Sequence, residues 1–204
     1  MIELVNLSKQ YGSRKIVNNC SFKFPDKGIY CLHGENGSGK STVLGMIAGA
    51  ILPDTGKILI NGVGRSSQDL SHKKIFSYVP DSCPIYPFIT GEEFLNFIQS
   101  IRKSPSDIRD HLINIFNIKS YLASTFSEMS LGTAKKFMLI AALMVDSQVL
   151  VMDEPTNGLD VQSVKVLEDL ILNLCQDRLI LMACHDEKVR KKLNAKILDI
   201  NLFR

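Results

Sequence analysis

The sequence predicts an α/β fold with a largely parallel sheet and one all-helical insert. Short apolar runs that lack helical periodicity alternate with longer segments of helical spacing, a pattern typical of strand–helix–strand units. Between about residues 84 and 131 this alternation stops and only helical spacing remains. The chain has 204 residues, of which 45% are hydrophobic, enough for one sizeable core with a subdomain.

The first half of the chain shows strands bounded by glycine and proline. The run GIYCLHG at 28–34 is apolar and predicts a buried strand, and a helix is expected over 40–50. Segment 52–62 reads as a turn, a strand and a second turn, because the Asn-Gly pair at its end strongly favours a tight turn. Another strand is expected over 74–80, where a proline ends it.

In the second half, apolar residues recur every three or four positions through 89–118, which predicts helices. The segment EMSLGTAKKFMLIAALM at 128–144 predicts a helix with a polar start and a long apolar body. The remaining elements are a strand at 148–152, a helix at 161–174, a strand at 178–184, a short basic helix and a closing strand at 195–200.

The composition indicates a soluble protein of a reducing compartment. The five cysteines are odd in number and include no CxxC pair, which argues against a zinc site or a disulfide framework. The N-terminus has no signal-peptide layout, and no apolar run could span a bilayer. A net charge of +3 is small for a nucleic-acid binder, so no such partner is expected. The basic run 188–192 is expected to be a solvated helix face, with weak contact to a membrane or partner as the alternative.

A phosphate-binding loop is the strongest functional signal. GENGSGKS at 34–41 matches G-x-x-x-x-G-K-[ST], follows a predicted strand and opens a predicted helix. Glycines let backbone N–H groups surround an anion, and the helix N-terminus adds partial positive charge. Lys40 supplies a charge for the β- and γ-phosphates, and Ser41 offers a hydroxyl to Mg²⁺. The alternative is an accidental glycine-rich turn.

Acidic residues follow the strand VLVM and should lie at the sheet edge where parallel strands present ligand sites. Asp153 could hold the Mg²⁺ shell, and Glu154 could polarise the water that attacks the γ-phosphate. His185 follows the strand LILMAC and should lie at the same edge. Taken alone, each of these residues could be an ordinary charged or polar strand end, and the preceding phosphate loop favours the functional interpretation. The guanine-reading motif N-K-x-D is absent, and no second phosphate loop exists.

In order and spacing, the motifs resemble those of the ATP-binding cassette (ABC) ATPases, specifically the nucleotide-binding subunits of ABC transporters, over nearly the whole chain. GENGSGKST resembles Walker A, VLVMDEPTNGLD resembles Walker B running into the D-loop that ends at Asp160, and ACHD resembles the switch-histidine loop. LSKQYGSRKIV resembles the segment whose aromatic ring stacks on adenine, which implies that role for Tyr11. Without the family, Tyr11 would be taken for a surface residue in a turn. The ATP-binding residues that the resemblance implies are Tyr11, Gly34, Glu35, Asn36, Gly37, Ser38, Gly39, Lys40, Ser41 and Thr42.

The polar helix start MSLGT falls where the family has its signature, commonly L-S-G-G-Q. The resemblance implies that two cassettes pair head to tail, so that Ser130 and Gly132 reach the γ-phosphate held by the other subunit. Ser130 as an ordinary helix cap is compatible with this role. Leu131 and Thr133 depart from the commonest form, but Ser-Leu-Gly is similar to variants in some bacterial export-type cassettes.

A second departure lies in YVPD, which stands where the family usually has the glutamine of its Q-loop. Asp81 occupies that place, and a carboxylate could bind Mg²⁺ as well as an amide or better. Some export-type subfamilies carry an acid here, and the following PFITGEEFLNFI is also similar to theirs. The alternative is that Asp81 caps the turn after Pro80 and faces solvent.

The resemblance implies a P-loop NTPase (RecA-like) core sheet with an N-terminal antiparallel β subdomain and an inserted all-helical subdomain. Residues 1–83 and 132–204 would form the nucleotide-binding core, and 84–131 the helical subdomain, within one domain of 1–204. The expected function is an ATP-hydrolysing subunit, with ATP and Mg²⁺, that drives a separate integral membrane transporter subunit through ATP-dependent dimerisation. The expected location is cytoplasmic, peripheral on the inner face of the cell membrane.

Two rival interpretations remain. A soluble cassette protein of translation or repair would be expected to be tandem or to carry a coiled-coil insert, and this chain has neither. An ATP-dependent regulator without turnover would be expected to lose the base, whereas Glu154 is present.

Overall fold

The computed structural model describes residues 2–64 and 74–203. The strands and helices, in chain order, are β1 (Ile2–Tyr11), β2 (Arg14–Lys23), β3 (Gly28–His33), α1 (Lys40–Ala48), β4 (Thr55–Ile60), β5 (Val63–Gly64), β6 (Phe76–Val79), α2 (Gly91–Arg102), α3 (Ser106–Ile115), α4 (Leu131–Leu143), β7 (Val149–Asp153), α5 (Val161–Leu174), β8 (Leu179–Ala183), α6 (Glu187–Lys192) and β9 (Lys196–Asp199).

Two sheets organise these elements. The first is antiparallel, with the order β2-β1-β4-β5, and its last two strands are joined by the tight turn that the Asn-Gly pair predicts. Asn61 and Gly62 both have positive φ, 51° and 81°, as such a hairpin turn requires. The second sheet has the order β6-β7-β8-β3-β9, and all four of its pairings are parallel. The α/β fold class is therefore confirmed.

The parallel sheet lies at the centre of the core. Every residue of β7 and β8 is buried, as expected for strands covered on both faces. On one face, apolar side chains of α1 and of the antiparallel sheet form one cluster. On the other face, α4 and α5 form a second cluster together with residues of the helical segment. Helix α4 is buried nearly all round, because it lies between the sheet and the helices α2 and α3.

Helix α1 is shorter than the sequence predicts. It ends at Ala48, whereas the sequence predicts a helix over 40–50. Gly49 adopts a left-handed conformation with φ 88°, and its N–H donates to the carbonyls of Gly45 and Met46. This is a glycine helix cap, which closes the last turn two residues early.

The segment between β6 and α4 is helical, as predicted. Helix α2 begins with a capping box, in which Thr90 accepts from the N–H of Glu93 and the Glu93 side chain accepts from Thr90. Thr90 also forms a bridge with Thr125, which ties the start of this helix to the end of the segment. Among residues 2–64 and 74–203, no helix is long and apolar enough to span a membrane.

Candidate functional site

The predicted site residues converge at one edge of the parallel sheet. Strands β3, β7 and β8 run in the same direction, so the residues that follow them lie together. The loop 34–39 follows β3, Asp153 ends β7, and His185 comes two residues after β8. The sequence therefore placed these groups correctly relative to the sheet, although their roles stay predictions.

The loop 34–39 has the backbone of an anion cradle. A Cβ built on Gly39 would lie 2.3 Å from Ile16 Cγ2, and Gly39 has φ 108°, so only glycine fits there. Gly37 also has positive φ, 73°. Gly39 caps α1 without any side-chain hydrogen bond, which leaves the first N–H groups of the helix available for a bound anion. Of the other loop residues, Glu35 and Asn36 are exposed, Ser38 is buried and Thr42 is half-buried.

The ammonium group of Lys40 lies over this loop. It donates to the carbonyls of Gly34 and Glu35 at 2.9 and 3.0 Å, and the residue is 8% exposed. The positive charge is thus already held at the mouth of the cradle. Arg14, which the sequence analysis did not single out, donates to the carbonyl of Gly37 and adds a second cation.

Asp153 and Ser41 form a pair beneath the loop. The Ser41 hydroxyl donates to the Asp153 carboxylate, and Asp153 is 3% exposed. Burial raises the pKa of Asp153, and the charge of Asp81 raises it further, while Ser41, Lys135 and Lys40 oppose the shift. A buried carboxylate beside a hydroxyl is a donor set that suits a hard cation such as Mg²⁺.

Glu154 is held in an unusual conformation next to His185. Its φ is 44°, in the left-handed region, and its N–H donates to the carbonyl of Ala183 at 2.9 Å. One carboxylate oxygen accepts from the backbone N–H of His185 at 3.1 Å, and the other lies 3.2 Å from the His185 ring Nε2. That second oxygen is buried and lacks an aligned hydrogen bond within the described residues. It is therefore the acceptor that a bound water or substrate group would satisfy.

Asp81 lies near these acids but is more exposed. Its side chain is 54% exposed, and its Oδ1 accepts from Asn157 Nδ2 at 3.1 Å and lies 4.0 Å from Lys135 Nζ. Asp81 follows β6, which pairs with β7 so that Val79 lies opposite Met152, and the charge of Asp81 contributes to the raised pKa of Asp153. The structure thus agrees with both interpretations of Asp81, a metal ligand and a residue that faces solvent.

The side chains around Ser41 and Asp153 could supply only part of the ligands that Mg²⁺ requires. Within residues 2–64 and 74–203, no three His, Cys, Asp or Glu side chains come close enough to hold a metal ion. The residues that fit it are Ser41 and Asp153, with Asp81 nearby, and the remaining ligands would be phosphate and water oxygens. Such sparse protein ligation is usual for Mg²⁺ bound with a nucleotide.

The start of α4 and the turn before α5 fit closely together. Ser130 caps α4 by accepting from the N–H of Thr133 at 3.2 Å, so the predicted helix cap is present. A Cβ on Gly132 would lie 2.1 Å from the carbonyl oxygen of Gly158, so this position also excludes a side chain. Asp160 caps α5 and pairs with Lys136 at 2.7 Å, which lowers the pKa of Asp160.

Tyr11 lies at the end of β1 and is 51% exposed. The ammonium group of Lys9 lies 5.3 Å from the centre of its ring. An exposed ring at a strand end is able to stack on a planar ligand, and it would also suit an ordinary surface tyrosine.

Sequence reasoning missed three residues of this site, Arg14, Lys135 and Asn157. Arg14 had a signal, since it stands three positions after Tyr11 in a segment that the family resemblance covers. Lys135 stands at the start of a long apolar helix, where a buried polar residue needs a partner. Asn157 gave no signal beyond its place between Glu154 and Asp160.

Comparison with known protein families identifies the family to which this chain belongs. The ABC transporter family matches residues 17–157, which is most of the chain and includes the phosphate loop, Asp153 and Glu154. The chain belongs to the ABC transporter family.

Named ABC proteins resemble the chain along most of its length. It is 34% identical over 177 residues to the zinc import ATP-binding protein ZnuC of Wigglesworthia glossinidia brevipalpis, covering 85% of this chain and 70% of that protein. It is 28% identical to the lantibiotic transport ATP-binding protein SrtF of Streptococcus pyogenes, covering 89% and 78%.

Solved structures agree with this assignment. An ATP-binding subunit of an ABC transporter superposes with a TM-score of 0.83 at 25% identity, covering 95% of this chain and 82% of that chain. A dimeric ATP-binding cassette with ADP and Pi, in a post-hydrolysis state, has the same fold, with a TM-score of 0.81 at 18% identity, covering 94% and 91%. This ABC protein is an ATP-binding subunit of the transporter type, and it is an ATPase.

Proposed function

We propose that this ABC subunit hydrolyses ATP with Glu154 as the general base, in a site that two copies complete together. Lys40 binds the phosphates, His185 lies against the base, and Ser41 and Asp153 hold Mg²⁺. The energy of this cycle drives a separate membrane transporter subunit, so that the protein works at the inner face of the cell membrane. Zinc and lantibiotics are the cargoes that two relatives' names state. The cargo here depends on the membrane subunit.

The observation that carries this proposal is the environment of Glu154. Its carboxylate is fixed by the backbone N–H of His185. Its second oxygen is buried, close to the imidazole and, among the described residues, without an aligned hydrogen bond. A general base needs an oxygen free to accept a proton from water, held in place by other contacts. Asp153 lies one residue before it, beside Ser41 of the phosphate loop, so base and phosphate site share one edge.

Mg²⁺, when bound, would neutralise charge that develops on the transferred phosphoryl group. The chain's own part is to present hard oxygen ligands. Ser41 and Asp153 are hydrogen-bonded to each other at the phosphate loop, and Asp81 follows β6, the strand that pairs with β7.

Pairing of two copies is supported by the surface around Ser130. Leu131 is 60% exposed and Val161 is 75% exposed, so apolar groups flank the starts of α4 and α5 on the surface. The first N–H groups of α4 form an anion-binding helix end. A second subunit that contributes its bound ATP would cover this surface and complete the site.

The membrane subunit is proposed to contact the helical segment. Tyr86 and Phe88 are 69% and 72% exposed, and their rings stack with centroids 5.5 Å apart. Phe97 and Ile101 on α2 are also exposed. Exposed aromatic groups of this size mark interaction surfaces. Asp81 lies only five residues before Tyr86, which gives a short route from such a partner to the nucleotide site.

A direct test is the substitution Glu154→Gln. The amide keeps the shape and can still accept from the N–H of His185, but it cannot take a proton from water. We expect ATP binding to persist and steady hydrolysis to fall by about a hundredfold or more. The ATP-bound variant should accumulate as a dimer, measured by size with and without ATP and Mg²⁺.

Glu168→Gln is a matched control, because Glu168 is also buried but pairs with Lys192 on α6. It should keep its hydrolysis rate. A Glu154→Gln protein that hydrolyses ATP at the unmodified rate would remove Glu154 from the role of base. Co-purification with a candidate membrane subunit separates a transporter subunit from a soluble ABC ATPase or an ATP-dependent regulator, the alternatives that the sequence left open.

A further inference from the structure

Lys135 is a lysine in the interior of the protein. It lies in the second turn of α4, one position before Lys136, yet its side chain is 1% exposed. A buried ammonium group is costly unless hydrogen bonds and nearby charges compensate for the lost water. A methionine of similar length would fill the same space without that cost. The groups around Lys135 must therefore accept its hydrogen bonds and compensate for its charge.

Those partners are the backbone and side chain of the segment that carries Asp81. Lys135 Nζ donates to the carbonyl oxygens of Pro80 and Asp81 at 3.0 and 2.9 Å, and it lies 4.0 Å from Asp81 Oδ1. Burial lowers the pKa of Lys135, while Asp81, Asp153, Cys83 and Glu154 oppose this through their charges. The nearby acids thus favour the charged form of Lys135, against the effect of burial.

The same segment is held from a second direction. Asn157 donates to the carboxylate of Asp81 from the turn that also approaches Gly132 through Gly158. The first two turns of α4, the segment 80–81 and the turn 157–160 therefore meet at one junction. Lys135 is the member of this junction that bonds the backbone of segment 80–81 directly to the helix that Ser130 caps.

We propose that Lys135 is a positioning residue for ATP hydrolysis: it holds segment 80–81 against α4, so that the Asp81 carboxylate stays beside Asp153 and in fixed relation to Ser130 and Gly132. The proposal rests on the proposed function, since it assigns Lys135 a task in that same site. The two short hydrogen bonds are to main-chain oxygens, so their main effect is to fix the segment. The carboxylate contact is longer and half exposed, and its attraction is correspondingly weak.

The test substitution is Lys135→Met, which keeps the length of the side chain and removes its charge and donors. We expect the Mg²⁺ concentration for half-maximal hydrolysis to rise about tenfold, the factor that one lost hydrogen bond to a charged group would produce. Binding of a fluorescent, non-hydrolysable ATP analogue without Mg²⁺ should stay unchanged, while its tightening by Mg²⁺ should be reduced. Lys135→Arg should retain most of the Mg²⁺ response. Lys135→Gln, which keeps an uncharged donor group, replaces the methionine variant if that protein does not fold.

Arg102→Met is the matched control. Arg102 also donates to main-chain oxygens, those of Lys74 and Phe76. These lie at or just before the start of β6, whereas Asp81 lies just after its end. Because Arg102→Met also loses main-chain hydrogen bonds, it should change the midpoint of thermal unfolding without moving the Mg²⁺ response.

A double substitution tests whether Lys135 acts through Asp81. In an Asp81→Asn background, Lys135→Met should add no further increase in the Mg²⁺ requirement. The proposal is overturned if the increases in Mg²⁺ requirement caused by Asp81→Asn and Lys135→Met are additive. It is also overturned if Lys135→Met, like Arg102→Met, changes thermal stability without changing the Mg²⁺ requirement. Hydrolysis by the unmodified protein is measured first. If the unmodified protein shows no Mg²⁺-dependent hydrolysis, the proposed function fails; if it does, the variants test the role of Lys135.

Discussion

At the scale of single residues, the site is a set of charges of opposite sign held very close together. Lys40 lies on the carbonyls of the phosphate loop, while Asp153 is buried beside Ser41. Burial raises the pKa of Asp153, so the folded protein tolerates its charge only at some cost in stability. A bound cation would offset that cost, so binding of a metal ion beside Asp153 should stabilise the folded protein.

Asp81 is the residue whose role a magnesium titration decides. Asp81→Asn removes a charge and keeps the shape and an oxygen. If Asp81 reaches the metal, the Mg²⁺ concentration for half-maximal activity should rise, while affinity for metal-free ATP should stay equal or improve, because an anion near the phosphates is gone.

Asp81→Gln supplies the side chain that is commoner in the family and should be tolerated. Identical magnesium curves for the unmodified protein and both variants would mean that Asp81 caps its turn and faces solvent without touching the metal.

At the scale of elements, the close contact between α4 and the turn before α5 is the most demanding feature. Gly132→Ala would place a methyl group 2.1 Å from the carbonyl oxygen of Gly158, so the helix start or the turn must move. We expect a loss of about 1–3 kcal/mol in the free energy of unfolding, as for an overpacked core, and a strong loss of hydrolysis. Chemical denaturation and an ATPase assay measure the two effects.

Gly64→Ala serves as the reference for that substitution. Among residues 2–64 and 74–203, the nearest atom to a Cβ at Gly64 is Leu59 Cδ2 at 3.9 Å, an ordinary contact, so this variant should keep both stability and activity. If Gly132→Ala behaves like Gly64→Ala, the close approach of the two backbones has no consequence for the site.

Strands that form continuous apolar runs could be located from the sequence, and strands with an interrupted pattern could not. The strands β3, β7 and β8 each contain a run of four or more apolar residues, so they were identified almost to the residue. Strands β1 and β2 were expected only through the family resemblance. Asn6 and Asn19 have positive φ there, and shifts in the β1–β2 register interrupt the alternation of apolar and polar residues.

Some residues of the candidate site could likewise be predicted from local sequence, and others could not. The phosphate loop and the pair Asp153 and Glu154 are each contiguous in sequence, and their placement after predicted strands was enough to single them out as candidates. Lys135 and Asn157 contact residues 54 to 76 positions away, so only the folded chain brings them to Asp81. Local patterns contain no information about such contacts.

At the scale of the whole molecule, the proposed site is completed by a second copy, and mixed dimers test this. A Lys40→Ala subunit and a Ser130→Arg subunit should each be inactive alone. Mixed together, they leave one intact site per dimer, made from the unmodified phosphate loop of one subunit and the unmodified α4 start of the other. Some hydrolysis should return, unless both sites must act together.

The control for this experiment is a mixture of two preparations of the Lys40→Ala subunit, which should remain inactive. Full-rate hydrolysis by a form that is strictly monomeric during the assay would contradict the head-to-tail arrangement.

The left-handed backbone of Glu154 has an evolutionary consequence. At φ 44° a glutamate is strained, whereas glycine or asparagine adopts this conformation easily. Selection for a more stable fold would therefore disfavour glutamate at position 154, and the proposed role in turnover is what would retain it. A descendant of this protein released from the need to hydrolyse ATP should lose Glu154, the proposed base, early, while the glycines of the phosphate loop, which the backbone itself requires, would persist.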